Sequence, residues 1–253
     1  MNLISASDRD IIVRMDETLI VRDVFSGTTR KMTAPPLISF MSGKYLVDKE
    51  KNLHVVDGPV LRNASKLNRN IFCLVEHEGT AYVADRFGDV YRIENEGCKY
   101  VLGTLSYLTG MAIYNGRILL SDKYGRIRIS EMNGRILDYR FGCDSIESLE
   151  CVNGLLISIS NKNMVLYDEE CFPRCTFKLP EGIRVMKTIT KGKNELVVIC
   201  LNSYFLFKIE KNSIGLVSHV KESIVDGACI GDLFYKVLPD LTVVDCQGRI
   251  FYE

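Results

Sequence analysis

The sequence predicts an all-β fold, a seven-bladed β-propeller with four-stranded antiparallel blades, from three observations. Helical periodicity is scarce along the 253 residues, short β-branched and aromatic runs alternate with turn residues, and strand-like hexapeptides recur at a regular interval. A repeat of this length is typical of propellers, because one small sheet cannot bury both of its faces and must stack against neighbours. We therefore expect one propeller domain over residues 1–253.

Seven hexapeptides carry the repeat. They are TLIVRD from Thr18, NLHVVD from Asn52, GDVYRI from Gly88, GRIRIS from Gly125, NMVLYD from Asn163, SYFLFK from Ser203 and DLTVVD from Asp240. Their starts lie 34, 36, 37, 38, 40 and 37 residues apart. Each follows another strand-like run, such as AYVAD or ILLSD, across a polar or glycine-containing link that suits a hairpin. Seven repeats predict seven blades.

The repeats resemble WD repeats in a degenerate form. Four of the hexapeptides end in an aspartate, namely Asp23, Asp57, Asp168 and Asp245. The tryptophan that precedes this aspartate in WD repeats is replaced by Arg22, Val56, Tyr167 and Val244, and the chain contains no Trp at all. The period therefore supports the architecture better than the motif does.

Charge and cysteine content narrow the function classes. The chain has 32 Lys and Arg against 32 Asp and Glu, so no overall positive field would attract nucleic acid or an acidic membrane. Nine cysteines form no CxxC pair and make an odd count, which favours a reducing, intracellular compartment over a disulfide scaffold. The N-terminus lacks an apolar signal core, and no apolar run approaches the ~18 residues that span a bilayer. We expect a soluble intracellular protein.

Catalytic motifs are scarce. The three histidines, His54, His77 and His219, lack the spacing of metal ligands, and Cys171 with Cys175 makes only a weak zinc motif. Neither a nucleophile elbow nor a phosphate-binding loop is present. We expect no catalytic residues, metal site or cofactor in this chain, although a propeller hydrolase with a calcium ion in the channel stays an alternative.

Three motifs follow one another closely between residues 81 and 130. They are AYVADRFGDVYRI (81–93), VLGTLSYLTGMAI (101–113) and RILLSDKYGRIRIS (117–130). Together with the strands up to residue 168, they resemble the WD-repeat, non-catalytic subunit of the tRNA guanine-N(7) methyltransferase. The resemblance implies a nuclear scaffold that holds a catalytic partner, which binds S-adenosylmethionine and methylates a guanosine in the tRNA variable loop. It implies only indirect or weak contact of the propeller with tRNA.

The resemblance also implies a partner-binding residue. In this family a basic residue in an I-(K/R)-(V/I)-S strand pairs with a glutamate of the catalytic subunit, and the matching residue here is Arg128. Strand alternation places Ile127 and Ile129 on the face opposite to Arg128, and an arginine can hold a carboxylate through two charge-assisted bonds. The histidine of the family's L-G-H motif is replaced by Thr104.

Two predicted hairpins complete the expected partner surface. Its further residues are Asp122, Lys123 and Tyr124 in one hairpin and Asp85 and Arg86 in the preceding one. Charged residues at a hairpin can also simply interact with water, which is the alternative for each of them. Tyr107 and Leu108 are expected to pack in the interior.

A second class of function stays open. The chain could be a general WD-repeat adaptor in a trafficking, ubiquitin or chromatin complex, since the same architecture serves many partners. The identity of the partner separates this hypothesis from the methyltransferase subunit.

Overall fold

The structure, a computed structural model, describes residues 3–7, 9–94, 97–103, 107–141 and 144–251. Within these ranges the chain forms 27 β-strands and no α-helix, so no helix of membrane-spanning length and hydrophobicity occurs there. The strands follow the β-branched and aromatic runs of the sequence, whose side chains fit a pleated surface. The predicted all-β class is confirmed.

Consecutive strands build seven sheets, numbered here as blades 1 to 7. Blade 1 contains β1 (Ile4–Ala6), β2 (Asp10–Met15), β3 (Thr18–Asp23) and β4 (Thr29–Thr33). Blade 2 contains β5 (Ile38–Ser42), β6 (Tyr45–Asp48), β7 (Asn52–Asp57) and β8 (Val60–Lys66). Blade 3 contains β9 (Ile71–His77), β10 (Thr80–Asp85), β11 (Val90–Glu94) and β12 (Gly97–Leu102).

The remaining blades follow the same plan. Blade 4 contains β13 (Leu108–Tyr114), β14 (Arg117–Asp122), β15 (Arg126–Glu131) and β16 (Ile136–Phe141). Blade 5 contains β17 (Ser148–Val152), β18 (Leu155–Ile159), β19 (Asn163–Tyr167) and β20 (Pro173–Lys178). Blade 6 contains β21 (Val185–Lys191), β22 (Glu195–Cys200), β23 (Ser203–Glu210) and β24 (Ser213–Val220), and blade 7 contains β25 (Asp226–Ile230), β26 (Leu233–Val237) and β27 (Val243–Asp245).

Every blade is an antiparallel meander in chain order. Blades 1 to 6 have four strands, and in blade 7 a bridge between Val244 and Ile250 stands where the fourth strand would be. Each of the seven hexapeptides supplies the third strand of its blade. The prediction of a seven-bladed propeller from the repeat is confirmed.

The hydrophobic core is divided among the junctions between blades. The described residues form seven apolar clusters, and each cluster joins two adjacent blades. In β2, Ile11 and Val13 pack against blade 7, whereas Ile12 between them packs against blade 2. Because both faces of a blade are covered, its inner strands read as continuous apolar runs instead of alternating with polar residues.

The ring closes without a strand shared between the first and last blades. Blade 1 and blade 7 form separate sheets, and their junction is held by an apolar cluster and by polar contacts. The Asp226 carboxylate accepts hydrogen bonds from the N–H groups of Leu3 (2.6 Å) and Ile4 (3.1 Å). The Arg22 guanidinium donates to the carbonyl of Phe251 and lies over its ring. The ring is therefore closed by contacts of side chains and not by a shared strand.

Candidate functional site

Two hairpins of identical construction lie side by side on one face of the ring. They join β10 to β11 in blade 3 and β14 to β15 in blade 4. Tyr107 and Leu108, at the start of blade 4, contact both hairpins. The Leu108 N–H donates to the Arg86 carbonyl (3.0 Å), and the Lys123 N–H donates to the Tyr107 carbonyl (3.3 Å). We call this face, which carries the hairpins between second and third strands, the upper face.

An aspartate organises each hairpin from within. Asp85 Oδ1 accepts hydrogen bonds from the N–H groups of Phe87 (2.8 Å) and Asp89 (3.0 Å). Asp122 Oδ1 accepts them from Tyr124 (2.8 Å) and Arg126 (3.1 Å). Such side-chain turns satisfy main-chain donors that the tight hairpin would otherwise leave unpaired.

The same two carboxylates are buried and also paired with arginines. Asp85 Oδ2 lies 3.1 Å from the Arg69 guanidinium, and Asp122 Oδ2 accepts a bond of 2.6 Å from Arg126 Nε. Both aspartates were expected on the partner surface, but the structure turns them inward. Their direct contact with a partner stays a prediction, while their role in shaping the hairpins is observed.

Glycine is required at the tip of each hairpin. Gly88 and Gly125 have φ values of 86° and 78°, in the left-handed region that other residues avoid. Their N–H groups donate to the carbonyls of Asp85 (3.0 Å) and Asp122 (3.1 Å). The tight tips push the neighbouring side chains Phe87 and Tyr124 outward.

Basic and aromatic side chains cover the upper face at these hairpins. We call this set the rim patch, and it consists of Arg69, Arg86, Phe87, Tyr107, Lys123, Tyr124 and Arg126.

Cations and rings alternate across the rim patch. Lys123 Nζ lies 4.6 Å from the ring centroid of Tyr107 and 5.0 Å from that of Tyr124. The Phe87 and Tyr107 rings are 6.3 Å apart, and Arg69 lies over Phe87 at 5.3 Å. These distances permit cation–π attraction, which orders long side chains that would otherwise move freely.

The rim patch presents an excess of positive charge. Arg69 and Arg126 pair with the buried aspartates beneath them. Arg86 and Lys123 have no ion-pair partner among the residues that the structure describes, and Arg86 lies over the ring of Phe72 at 5.1 Å. A neutral chain thus carries a local basic and aromatic surface.

The predicted residues divide into two groups. Arg86, Lys123 and Tyr124 are exposed, as a contact surface requires, and Tyr124 is 65% exposed. Asp85 and Asp122 are buried.

Arg128 lies inside the junction between blades 3 and 4. It is only 8% exposed, and its guanidinium donates to the carbonyl of Gly103, which directly follows the outer strand β12 of blade 3. Ile127 and Ile129 face blade 5 in an apolar cluster, as the strand alternation predicts. The structure therefore gives Arg128 a role between blades, and its pairing with a partner stays a prediction.

The expectation for the segment before β13 was half wrong. Leu108 is buried, as predicted, but Tyr107 is 51% exposed and belongs to the rim patch. Tyr107 lies on the upper face with its ring near Lys123, whereas Leu108 packs in the core between blades 3 and 4. Thr104 lies outside the described residues.

The central channel contains polar groups that the sequence reasoning missed. A cavity of ≈ 1040 Å³ is lined mainly by the first strands of blades 1, 2, 3, 5, 6 and 7. Glu150 on β17 accepts hydrogen bonds there from Ser148 (2.7 Å) and Thr188 (2.5 Å), whose hydroxyls lie 2.7 Å apart. Burial raises the pKa of the Glu150 carboxyl, and the two hydroxyl bonds offset part of this rise.

Lys187 extends the polar wall to the next blade. Its ammonium donates to Asp226 Oδ1 (2.5 Å) and to the Gly227 carbonyl (2.9 Å). These contacts tie blade 6 to blade 7 and, through Asp226, to blade 1. The sequence signal that could have indicated this group is a lysine within the strand-like run VMKTITK (185–191).

The histidine and cysteine side chains of the described residues are the remaining candidates for metal binding and thiol chemistry. No group of three or more His, Cys, Asp or Glu side chains there could hold a metal ion. The His54 ring lies 3.0 Å from Asp48 Oδ2 within blade 2. The eight described cysteines are free thiols, and Cys143 lies outside the described residues.

The fold defines the class of the protein as a seven-bladed β-propeller. Comparison with solved structures supports this class. A chain from the crystal structure of the mitotic checkpoint complex is similar with a TM-score of 0.76 and 13% identity, over 97% of this chain and 86% of that one. Hsv2 from Kluyveromyces lactis gives a TM-score of 0.71 and 12% identity, over 95% and 91% of the two chains.

A third similar structure is an enzyme by name. Virginiamycin B lyase from Staphylococcus aureus gives a TM-score of 0.73 and 10% identity, over 93% of this chain and 90% of that one. No protein-family model and no curated protein sequence matches this chain. At these identities the likeness establishes the fold, and function has to be argued from the site.

Proposed function

We propose that this chain is a non-catalytic scaffold subunit, which holds a separate protein partner on the rim patch of blades 3 and 4. The observation that carries the proposal is the exposed alternation of cations and rings at Lys123, Tyr107 and Tyr124. Aromatic and arginine side chains that are exposed together on a rigid support are typical of the residues that dominate protein interfaces.

The structure of the hairpins supports docking without rearrangement. Asp85 and Asp122 hold the two turns through main-chain bonds, so the rim patch is ordered before any partner arrives. A surface that is ordered in advance loses less conformational entropy on binding. The excess of positive charge on Arg86 and Lys123 favours a partner with an acidic face.

We further propose that the partner is the S-adenosylmethionine-dependent subunit that forms N(7)-methylguanosine in the tRNA variable loop. The three ordered motifs between residues 81 and 130 support this proposal, because they belong to blades 3 and 4, which carry the rim patch. In this proposal the propeller supplies no catalytic residue or cofactor, contacts tRNA at most weakly, and resides in the nucleus with its partner.

Co-expression tests the proposal directly. The chain is expressed with candidate methyltransferases, the complex is purified, and methyl transfer to tRNA is measured with and without the propeller. We expect a stable complex, activity that depends on this chain, and no methylation by the propeller alone. Absence of any methyltransferase complex would refute the finer proposal.

Lys123 provides a matched pair of variants for the surface itself. Lys123→Glu reverses a charge on the rim patch, whereas Lys162→Glu reverses one on the equivalent hairpin of blade 5, where the side chain is also exposed and lies 3.9 Å from Asp144. Loss of a rim charge mainly slows association, so we expect a reduced association rate for Lys123→Glu and a nearly unchanged one for Lys162→Glu. Equal effects of both variants would exclude the rim patch as the docking surface.

Arg128 requires a different experiment because it is buried. Arg128→Glu would place a carboxylate beside the Gly103 carbonyl, and we expect it to lower the melting temperature by weakening the junction between blades 3 and 4. Partner binding must therefore be measured at a temperature where the variant is folded. A variant that is folded and binds the partner normally would remove Arg128 from the proposed interface.

A general interaction adaptor is the second candidate function. It is favoured by the similarity to a chain of the mitotic checkpoint complex, an assembly by its name. An adaptor would bind through the same rim patch but recover a partner without methyltransferase activity. Mass spectrometry of proteins captured by wild type but lost with Lys123→Glu separates the two candidates.

A further inference from the structure

The outer strand of blade 4 differs from those of blades 1, 2, 3 and 5 in its exposed surface. Four large apolar side chains of β16 are exposed, and Phe141 is 70% exposed. They are Ile136, Leu137, Tyr139 and Phe141. By contrast, β4, β8, β12 and β20 each carry an exposed lysine, a residue that discourages pairing of open strand edges.

The open edge of β16 is occupied by its own side chains. The Tyr139 N–H donates to Asp138 Oδ1 (2.7 Å), and the Tyr139 carbonyl accepts from Arg140 Nη1 (3.2 Å). Asp138 and Arg140 also pair with each other. Both main-chain groups of Tyr139 therefore point away from β15 and are available to another strand once the two side chains release them.

Asp138 and Arg140, on either side of Tyr139, form a self-complementary charge pattern. In an antiparallel pair centred on Tyr139, Asp138 of one strand lies opposite Arg140 of the other, and the reverse contact forms by symmetry. Leu137 of each strand then lies opposite Phe141 of the other. An isologous contact requires such a self-matching pattern.

We propose that two copies of this chain associate through β16, in antiparallel pairing about Tyr139. The two Tyr139 residues exchange their N–H and carbonyl bonds, and the intramolecular Asp138–Arg140 pair becomes two intermolecular pairs. The blade 4 sheets of the two copies thereby form one continuous sheet. This inference is independent of the proposed function.

Two further features fit a dimer of limited strength. The formal net charge of the chain is zero, so two copies do not repel each other at long range. The register shift between Ile129 and Ser130 leaves Leu137 as an extra residue in β16, and this bulge ends the regular edge. The pairing is therefore short, which predicts association that depends on protein concentration.

Charge exchange tests the register of the pairing. Sedimentation velocity of the wild-type chain over a concentration series should show a monomer–dimer equilibrium. Asp138→Arg and Arg140→Glu each place like charges opposite one another, so each variant alone should be monomeric. An equimolar mixture of the two variants restores opposite charges across the pair and should form a dimer again.

The controls make each outcome decisive. Lys208→Glu places like charges at an exposed pair with Glu210 on blade 6 and should leave the dimer unchanged. A monomeric wild type at every concentration, dimers of either single variant, or no dimer in the mixture would overturn the proposal.

A further variant covers loss of folding. If circular dichroism shows that a charge variant is unfolded, Tyr139→Pro gives the second test, because it removes the outward N–H without a bond to β15. Persistent dimers of Tyr139→Pro would likewise overturn the proposal.

Discussion

Removal of the Asp226 carboxylate tests whether polar contacts close the ring. Asp226 is 3% exposed and accepts bonds from the main chain of blade 1 and from Lys187 of blade 6. In Asp226→Ala these donors lose their acceptor, and the Lys187 ammonium loses its counter-ion. Breaking a buried ion pair by removing one partner costs about 3–5 kcal/mol.

The lower end of that range applies here. The Lys187 side chain is 29% exposed, so water compensates part of the loss of its counter-ion. We therefore expect the free energy of unfolding to fall by about 3 kcal/mol. At about 2–4 °C per kcal/mol for a chain of this size, the melting temperature should fall by roughly 6–12 °C.

Differential scanning calorimetry at neutral pH measures this change. Asp240→Ala is the matched control in the same blade, since this exposed aspartate makes local contacts with Thr242, whose N–H donates to it at 2.9 Å. We expect the control to cost no more than about 1 kcal/mol. A melting temperature of Asp226→Ala within about 2 °C of wild type would refute this account of closure.

Three further predictions concern the channel, a blade junction and the thiols. The raised pKa of Glu150 means that the folded protein binds this proton more tightly than the unfolded chain, so its stabilising effect is lost as pH rises through the folded-state pKa. Glu150→Gln should therefore raise the melting temperature at neutral pH, and by less in acid. Gly110→Ala should lower the free energy of unfolding by about 1–3 kcal/mol in urea titration, because the added Cβ would lie 2.7 Å from the Leu149 nitrogen. Burial raises the pKa of Cys229 to about 12, so iodoacetamide at mildly alkaline pH should label exposed Cys246 first, as mass spectrometry can show.

The seven-bladed ring could be predicted from the sequence, because every blade has to pack against two neighbours and therefore repeats the same apolar pattern. Each hexapeptide such as NLHVVD or NMVLYD must cover both neighbours, and this produces an apolar run at a fixed interval. The fourth strand of blade 7 could not be anticipated in this way. Among the described residues, the chain after Asp245 returns to the sheet of blade 7 through the bridge of Val244 with Ile250.

The two hairpins were predicted from the sequence, but the orientation of their side chains was predicted only in part. Spacing identified the two hairpins, and the exposed Lys123 and Tyr124 follow from their place at a tip. Spacing could not show that Asp122 turns inward to bind main-chain N–H groups, since the same residue types serve surface contacts. Arg128 is a similar case, because alternation gives the face of a strand but not how closely the next blade covers it.

Because each blade consists of consecutive strands, the chain can be divided into fragments that contain whole blades. Each sheet is formed by one uninterrupted stretch of chain, so a break between two blades leaves every sheet whole. The exposed segment at Pro180–Gly182, between blades 5 and 6, is a suitable place for such a break. Two fragments divided there would hold five and two intact blades and could reassemble through the apolar clusters and polar contacts of the two separated junctions, so the propeller offers a natural split-reporter scaffold.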